Sequence, residues 1–410
     1  MVSQSFRYAP NVALLAARAV ELMWNAYPGY SADVFDKKEL IPSVVKNIDL
    51  GVRVLRRGSP PTNSELMRGR GLGQRRASQG VPLESVIQAY RSAERTIILD
   101  LFSGSQAWPV ELTSHYADLI ISTFDLLTEE MINSYRETSS AIEAAQRRVE
   151  NELVSTIANG VAPPAADLDR WTRALGIEAT VPYFSFVIGS LHDADHIEVL
   201  RLRRRLAAAL QPFITGPVLF GDMYRLTIAL ARPQGSMGKI KAALVDAVES
   251  FESSAGYVAG IGGVDRSLVD SRESCHQARD AVAVAVSGRR ASSVVDFDDV
   301  LLDVLLAREP DLAKRLVATR LGALAGHPHL VETLSALVAC NHSQSAVAKM
   351  LFVHPNTVTH RIKRINELTG LDALSMRDFT EMAVALRWRG THADDRETGG
   401  STTPPVRPEG

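Results

Sequence analysis

The side chains with the clearest chemical purpose lie between residues 343 and 369. Ser343-Gln-Ser-Ala-Val-Ala-Lys-Met-Leu351 reads as a short helix that Ser343 can cap. Phe352-Val-His354 makes a tight connection. Pro355 to Thr369 then forms a second helix, with proline at its permissive first position and Gly370 as its stop. Val358, Ile362 and Ile365 recur at steps of four and three and face inward. Asn356, Thr357, Thr359, His360, Lys363 and Arg364 are left on outward or flanking faces. Short polar side chains at the start of such a helix can reach base edges in a major groove, and basic ones further along can reach phosphate. Between Glu332 and Glu367 there is no Asp or Glu, whereas Lys349, Arg361, Lys363 and Arg364 all lie there. An acid-free, basic stretch is the local footprint that a polyanion requires. Two short helices across a tight turn are the helix-turn-helix plan, and Ala348 is small where the helices must approach. The competing reading is a helical hairpin whose polar face is merely solvated; the turn carries Phe352 in place of the usual glycine.

Other clusters carry weaker chemistry. His192-Asp-Ala-Asp-His196 packs potential metal ligands closely, but the segment reads as a cap for the helix beginning near Ile197. His327-Pro-His329 reads as loop. Gly69-Arg-Gly-Leu-Gly73 and Gly260-Ile-Gly-Gly263 superficially resemble phosphate loops; the first lacks a preceding strand and the second a lysine, so both read as turns or close-packing sites. Arg201, Arg203, Arg204 and Arg205 read as a solvated helix face. Cys275 beside His276 has no third orienting residue and reads as a buried structural thiol. No catalytic residue, cofactor or metal site is predicted.

The elements that must position the 343–369 segment belong to a long, ordinary chain. Its 410 residues allow two or three domains. With 46% hydrophobic and 22% charged residues it is neither wholly disordered, collagen-like nor mostly membrane-embedded. The 45 basic and 47 acidic residues give a net charge of -2, so any attraction to nucleic acid must be local. Two cysteines fit a reducing cytoplasm. Residues 1–25 lack the features of a secretory signal, and no apolar run reaches about 18 residues, so a cytoplasmic protein with no membrane partner is expected.

Residues 11–140 read as an all-α bundle, with apolar stripes at 14, 15, 19, 22 and 23, from Leu83 to Ile98, and again from Leu119 to Met131. Gly58-Ser-Pro-Pro61 breaks the chain. Residues 136–160 read as a connecting helix that Val161-Ala-Pro-Pro164 stops. Tyr183 to Ile188 is a predicted strand, Ile197 to Leu210 a helix, and Pro217 to Leu230 two strands around a turn at Gly221-Asp222. Helix is predicted at Lys239–Glu252, strand at Tyr257–Gly262 and helix at Leu268–Val286, which together make an α+β domain with one mixed sheet. From Val300 the chain is helical again, with Leu330, Leu334, Leu337 and Val338 on one stripe, and the tail from Thr391 is too polar to order itself.

The segment Ala346 to Leu371 closely resembles the C-terminal helix-turn-helix of the PucR/CdaR family of bacterial transcriptional regulators. The resemblance is carried by Leu351, His354, Asn356, Thr357, Arg361, Ile362, Ile365, Leu368, Thr369 and Gly370, with Asp378 to Leu386 trailing. His360 stands where many relatives carry tyrosine, a departure that bears on one contact. Upstream, residues from about 170 to 290, including Gly260-Ile-Gly-Gly263, resemble the GGDEF-like middle domain of CdaR-type regulators. Active diguanylate cyclases need an acidic pair after paired glycines to hold magnesium near phosphate. The corresponding turn here offers Gly221-Asp222-Met223, so the resemblance implies a non-catalytic domain. Leu72 to Glu84, ahead of a helix with Tyr90-Arg91, is similar to the RsbR-type helical sensor domain.

The predicted fold class is therefore multidomain: an all-α N-terminal bundle, an α+β GGDEF-like middle domain and an all-α C-terminal helix-turn-helix domain. The expected boundaries are 1–140 for the RsbR-like sensor, 141–165 for a connecting helix and linker, and 166–295 for the degenerate GGDEF-like domain. The helix-turn-helix domain takes 296–390, and 391–410 form a disordered tail. The expected function is sequence-specific binding of double-stranded DNA by a transcriptional regulator that is not an enzyme. Its control comes from an unidentified small-molecule or protein signal acting through the upstream domains. The residues expected to meet DNA are Ser343, Ser345, His354, Asn356, Thr357, Thr359, His360, Arg361, Lys363 and Arg364. Operators are usually read by symmetric dimers, so a homodimer or higher homo-oligomer is expected, with contacts in residues 1–310. The rival readings are a nucleotide-signalling enzyme of the GGDEF class and a helical signalling adaptor.

Overall fold

The computed structural model describes residues 8–24, 26–34, 36–67, 69–103, 110–191, 195–251, 256–287 and 293–391. The chain divides into two compact units, Met1–Arg148 and Val149–Gly410. The tail expected to lack order falls, beyond Thr391, outside the described residues.

The first unit is built of helices. The Asn11 side chain accepts from Leu14 N at 3.1 Å and starts α1 (Val12–Met23). Next come α2 (Ile41–Arg57), α3 (Asn63–Met67), α4 (Arg70–Ser78) and α5 (Leu83–Ser103). Gly58 ends α2 in the left-handed conformation at φ 66°, where the sequence predicts a break. Leu15, Ile48, Leu55, Ile97, Phe124 and Met131 are fully enclosed in its core. At Gly73 a Cβ would come 2.2 Å from Ser134 Oγ and 2.5 Å from Met131 O, so Gly69-Arg-Gly-Leu-Gly73 is a packing site within helical structure.

α6 (Val110–Ala158) runs for 49 residues. The stretches read separately as 119–131 and 136–160 are one helix, because no Gly or Pro interrupts them. Its residues up to Arg148 belong to the first unit and those from Val149 to the second.

In the second unit, α7 (Ala165–Leu175) leads to a five-stranded sheet of order β2-β3-β1-β4-β5. The strands are β1 (Tyr183–Ser190), β2 (Ile214–Met223), β3 (Leu226–Pro233), β4 (Tyr257–Asp265) and β5 (Val294–Asp296). All pairings are antiparallel except β4 with β5, so the sheet is mixed, as the sequence predicts. α8 (His196–Leu210), α9 (Met237–Glu249) and α10 (Arg272–Ser287) complete the domain. β1 is enclosed on both faces. Phe184, Phe186 and Ile188 pack with Leu206, Ile240 and Leu244, while Tyr183 and Val187 pack with Val154, Ala278 and Val282. That two-sided burial explains its uninterrupted apolar run.

Three expectations need correction here. The hairpin does not turn at Gly221-Asp222. Those residues lie within β2, opposite Ile228 and Thr227, and the chain reverses at Tyr224-Arg225. Gly221 serves another purpose, since a Cβ there would meet Val154 Cβ at 2.7 Å. The helix expected from Leu268 begins at Arg272, where the Asp265 carboxylate accepts from Ser274 N at 2.9 Å. β5 was not foreseen; three residues are too few to show a period.

The described residues finish with α11 (Leu301–Arg308), α12 (Pro310–Leu321), α13 (Pro328–Ala339), α14 (Gln344–Met350), α15 (Pro355–Thr369) and α16 (Met376–Thr391). Their shared core contains Leu330, Leu334, Leu337, Val347, Val358, Ile362, Ile365 and Met382. Val338, expected on the same stripe, is 42% exposed. His329, read as loop, lies in the first turn of α13. Arg387 donates from Nε and Nη2 to both oxygens of the buried Asp303, at 2.5 and 2.6 Å, and so ties α16 to α11.

Candidate nucleic-acid interface

α14 and α15 assemble from local signals. Ser343 Oγ accepts from Ala346 N at 3.4 Å and from or to Ser345 Oγ at 3.2 Å, which starts α14. Val353 N donates to Ala348 O at 3.0 Å and closes the turn. His354 is the N-cap of α15: its Nδ1 accepts from Asn356 N at 3.2 Å, and its carbonyl accepts from Thr357 N at 2.8 Å. Pro355 follows at the first helical position, and Gly370 at φ 71° stops the helix. Ala348, 4% exposed, lets the two helices close on Val347, Val358 and Ile362.

The turn itself contains an unforeseen strain. Phe352 takes φ 52°, the left-handed conformation that favours glycine, and its ring is 94% exposed. The preceding turn, Asn341-His342, is also left-handed at both residues. It is held by His342 Nε2 at 2.8 Å from Ala373 O and by the His342 ring 4.3 Å from that of Phe379.

The expected contact residues do not all share one environment. Asn356, Thr359, His360, Lys363 and Arg364 are exposed on α15, and Ser343 and Ser345 are exposed at the start of α14. Thr357 is half-buried. Thr359 Oγ1 lies 3.3 Å from Pro355 O and 3.5 Å from Gln344 Oε1, and Arg364 pairs with Glu367 at 3.0 Å. Arg361 stands apart. It is half-buried, and its Nη1 donates to Thr333 Oγ1 at 3.1 Å on α13. That tie spans 28 residues and has no signature in the sequence.

The remaining candidates resolve into structure. Cys275 is enclosed, and burial pushes its thiol up to about 11. At Gly260 and Gly262 a Cβ would meet Ala278 O at 2.2 Å and Ser274 O at 2.1 Å, so that glycine run admits α10 against β4. His192 and Asp193, and the side chain of His196, lie outside the described residues; among those described, no group of three or more His, Cys, Asp or Glu could hold a metal ion. The true β2–β3 turn offers Tyr224 and Arg225 and no carboxylate, while Asp222 pairs with Arg203. No helix among the described residues is long and apolar enough to cross a membrane.

A chain that carries a helical unit, a small mixed sheet and a terminal helix-turn-helix is a multidomain protein of the helix-turn-helix class. Comparison with known families is more specific. Residues 13–150 match the RsbT co-antagonist protein rsbRD N-terminal domain, 159–284 the GGDEF-like domain, and 330–388 the PucR C-terminal helix-turn-helix domain. These are the three domains through which the chain resembles the PucR/CdaR family. The chain is 25% identical to the transcriptional activator PmfR of Paenarthrobacter nicotinovorans, over 75% of this chain and 60% of that one. It is also 25% identical to the carbohydrate diacid regulator of Escherichia coli, over 66% of this chain and 72% of that one. An uncharacterized protein of Mycobacterium tuberculosis is 48% identical over 58 residues, 14% of each chain. The matches thus span between 14% and 72% of these relatives' own length. A crystal structure of a regulator of polyketide synthase expression from Bifidobacterium adolescentis aligns with TM-score 0.32 and 20% identity, over 60% of this chain and 93% of that one. The relatives that bear a functional name are thus named as a transcriptional activator and as a regulator.

Proposed function

We propose that the chain is a sequence-specific DNA-binding transcriptional regulator. The carrying observation is the exposed row Asn356, His360 and Lys363 on α15, in a stretch without a carboxylate between Glu332 and Glu367, on a helix held rigid by Val358, Ile362 and Ile365. In this reading α15 enters the major groove. Asn356, Thr357, Thr359 and His360 face base edges, and Ser343, Ser345, His354, Lys363 and Arg364 hold the backbone. The protein acts in the cytoplasm as a homodimer or higher homo-oligomer. Residues 1–140 receive a small-molecule or protein signal, 141–165 connect, and 166–295 form a GGDEF-like domain without turnover. Residues 296–390 bind DNA, and 391–410 form the tail. Genome-wide mapping of bound DNA, followed by footprinting of the recovered fragments, tests the proposal. Discrete protected sites in promoter DNA are expected; their absence at every recovered fragment overturns it.

A further inference from the structure

α15 presents two rows of side chains with different surroundings. Asn356, His360 and Lys363 succeed each other at steps of four and three and are exposed. Val358, Ile362 and Ile365 form the second row, and all are buried against the terminal core. Arg361 lies with the second row. At about 100° per residue, it sits roughly 200° around the helix from Lys363, so the two cations point to nearly opposite sides.

On that inward side Arg361 meets the first turns of α13. Its Nη1 donates to Thr333 Oγ1 at 3.1 Å and lies 3.5 Å from His329 O. Thr333 is fully enclosed, and its hydroxyl in turn donates to His329 O at 2.8 Å. The hydroxyl therefore accepts from a cation and gives its own proton to a carbonyl, an arrangement that fixes its rotamer. A charge-assisted bond to a fixed, buried acceptor is directional, unlike the apolar contacts around it, which tolerate sliding. Leucine, isoleucine and valine hold α15 against α13, while this bond specifies rotation and register.

We propose that Arg361 is a positioning residue: it sets the rotation of α15 on α13 through Thr333 and touches neither base nor phosphate. The proposal rests on the reading of α15 as the helix that meets DNA, and it removes from the contact set the arginine that charge alone places there. It makes α13 the element whose placement fixes that of the recognition row. Loss of the bond lets α15 roll, which disturbs the base-reading residues together and leaves the phosphate contacts of the flexible lysine largely in place.

The test uses the full-length chain and its Arg361→Ala, Arg361→Lys, Thr333→Val, Thr333→Val/Arg361→Ala and Lys363→Ala forms. The probes are a duplex of about 30 base pairs selected by the wild-type chain from a random library, long enough for two half-sites, and an unselected duplex of equal length. The three single changes at 361 and 333 are each expected to weaken the selected duplex roughly tenfold, the scale of one charge-assisted hydrogen bond. They leave the unselected duplex and the salt dependence unchanged, and the double form loses no more than either single. Lys363→Ala instead lowers the salt slope by about 1. Arg361 is a phosphate contact, and the proposal is overturned, if Arg361→Ala flattens the slope as Lys363→Ala does, if Arg361→Lys restores binding, or if Thr333→Val is silent. Thermal unfolding of the same set supplies a readout without DNA: effects of the Thr333 and Arg361 changes that simply add overturn the tie. A wild-type chain that selects no duplex overturns the DNA-binding reading, whereas additivity in melting strikes this inference alone.

Discussion

Asn356 and Lys363 are about two turns apart on one exposed row of α15, yet in the proposed reading their chemistry divides the work. An amide can pair with an adenine edge through two bonds, so Asn356→Ala is expected to cost about 1–3 kcal/mol at a selected site and to relax base preference there. An ammonium on a flexible stem meets phosphate as a point charge. Lys363→Ala is expected to weaken selected and unselected DNA alike, and titrations across salt concentrations separate the two. Phe352 offers a test in the opposite direction. Its φ of 52° suits glycine, and its exposed ring gives the isolated chain almost no packing, so Phe352→Gly is expected to stabilise by about 1 kcal/mol in chemical denaturation. Cys275 is expected to resist alkylation at pH 8, because burial holds the thiol protonated up to about 11; mass spectrometry is expected to find the half-buried Cys340 labelled first.

At the scale of elements, the helix-turn-helix was legible because each boundary carries its own signal: a serine cap, a proline at the first position, a glycine stop, and an apolar row of period 3.6. The middle domain was legible where a strand is long. β1 announced itself through Tyr183 to Ile188, whereas β5 is three residues long and forms because β4 offers it an edge. The hairpin was misplaced for a physical reason. Gly221-Asp222 has turn chemistry, but the glycine is there to admit Val154 of α6, and the reversal falls to a tyrosine at φ 56°. Arg361 was assigned by charge, while its partner Thr333 is distant in sequence. Tertiary contact overrides local type at Gly221 and, in the reading proposed above, at Arg361 as well. Close approach also makes glycine substitution informative. A Cβ at Gly73 would fall 2.2 Å from Ser134 Oγ, and one at Gly262 2.1 Å from Ser274 O. Each Gly→Ala change is expected to cost about 1–3 kcal/mol through overpacking.

For the whole molecule, the two compact units have separate cores. Calorimetry is therefore expected to resolve more than one transition, with Gly73→Ala lowering only the one that belongs to residues 1–148 and Gly262→Ala only the other. A single transition shifted equally by both changes contradicts this. Within the second unit, Asp303 and Arg387 bind α11 to α16 with both oxygens engaged. Arg387→Ala takes the paired cation away from a buried carboxylate. It is expected to cost about 2 kcal/mol in urea unfolding, less than for a fully enclosed pair because the arginine side chain is 42% exposed.

Tyr224 has a practical consequence. It caps a two-residue hairpin and stands entirely in solvent, at 101% of its reference exposure. A fluorophore or short affinity handle grafted at that tip would displace no packed neighbour. It would give a spectroscopic beacon on the sheet domain, through which changes around that hairpin could be watched optically in the intact protein.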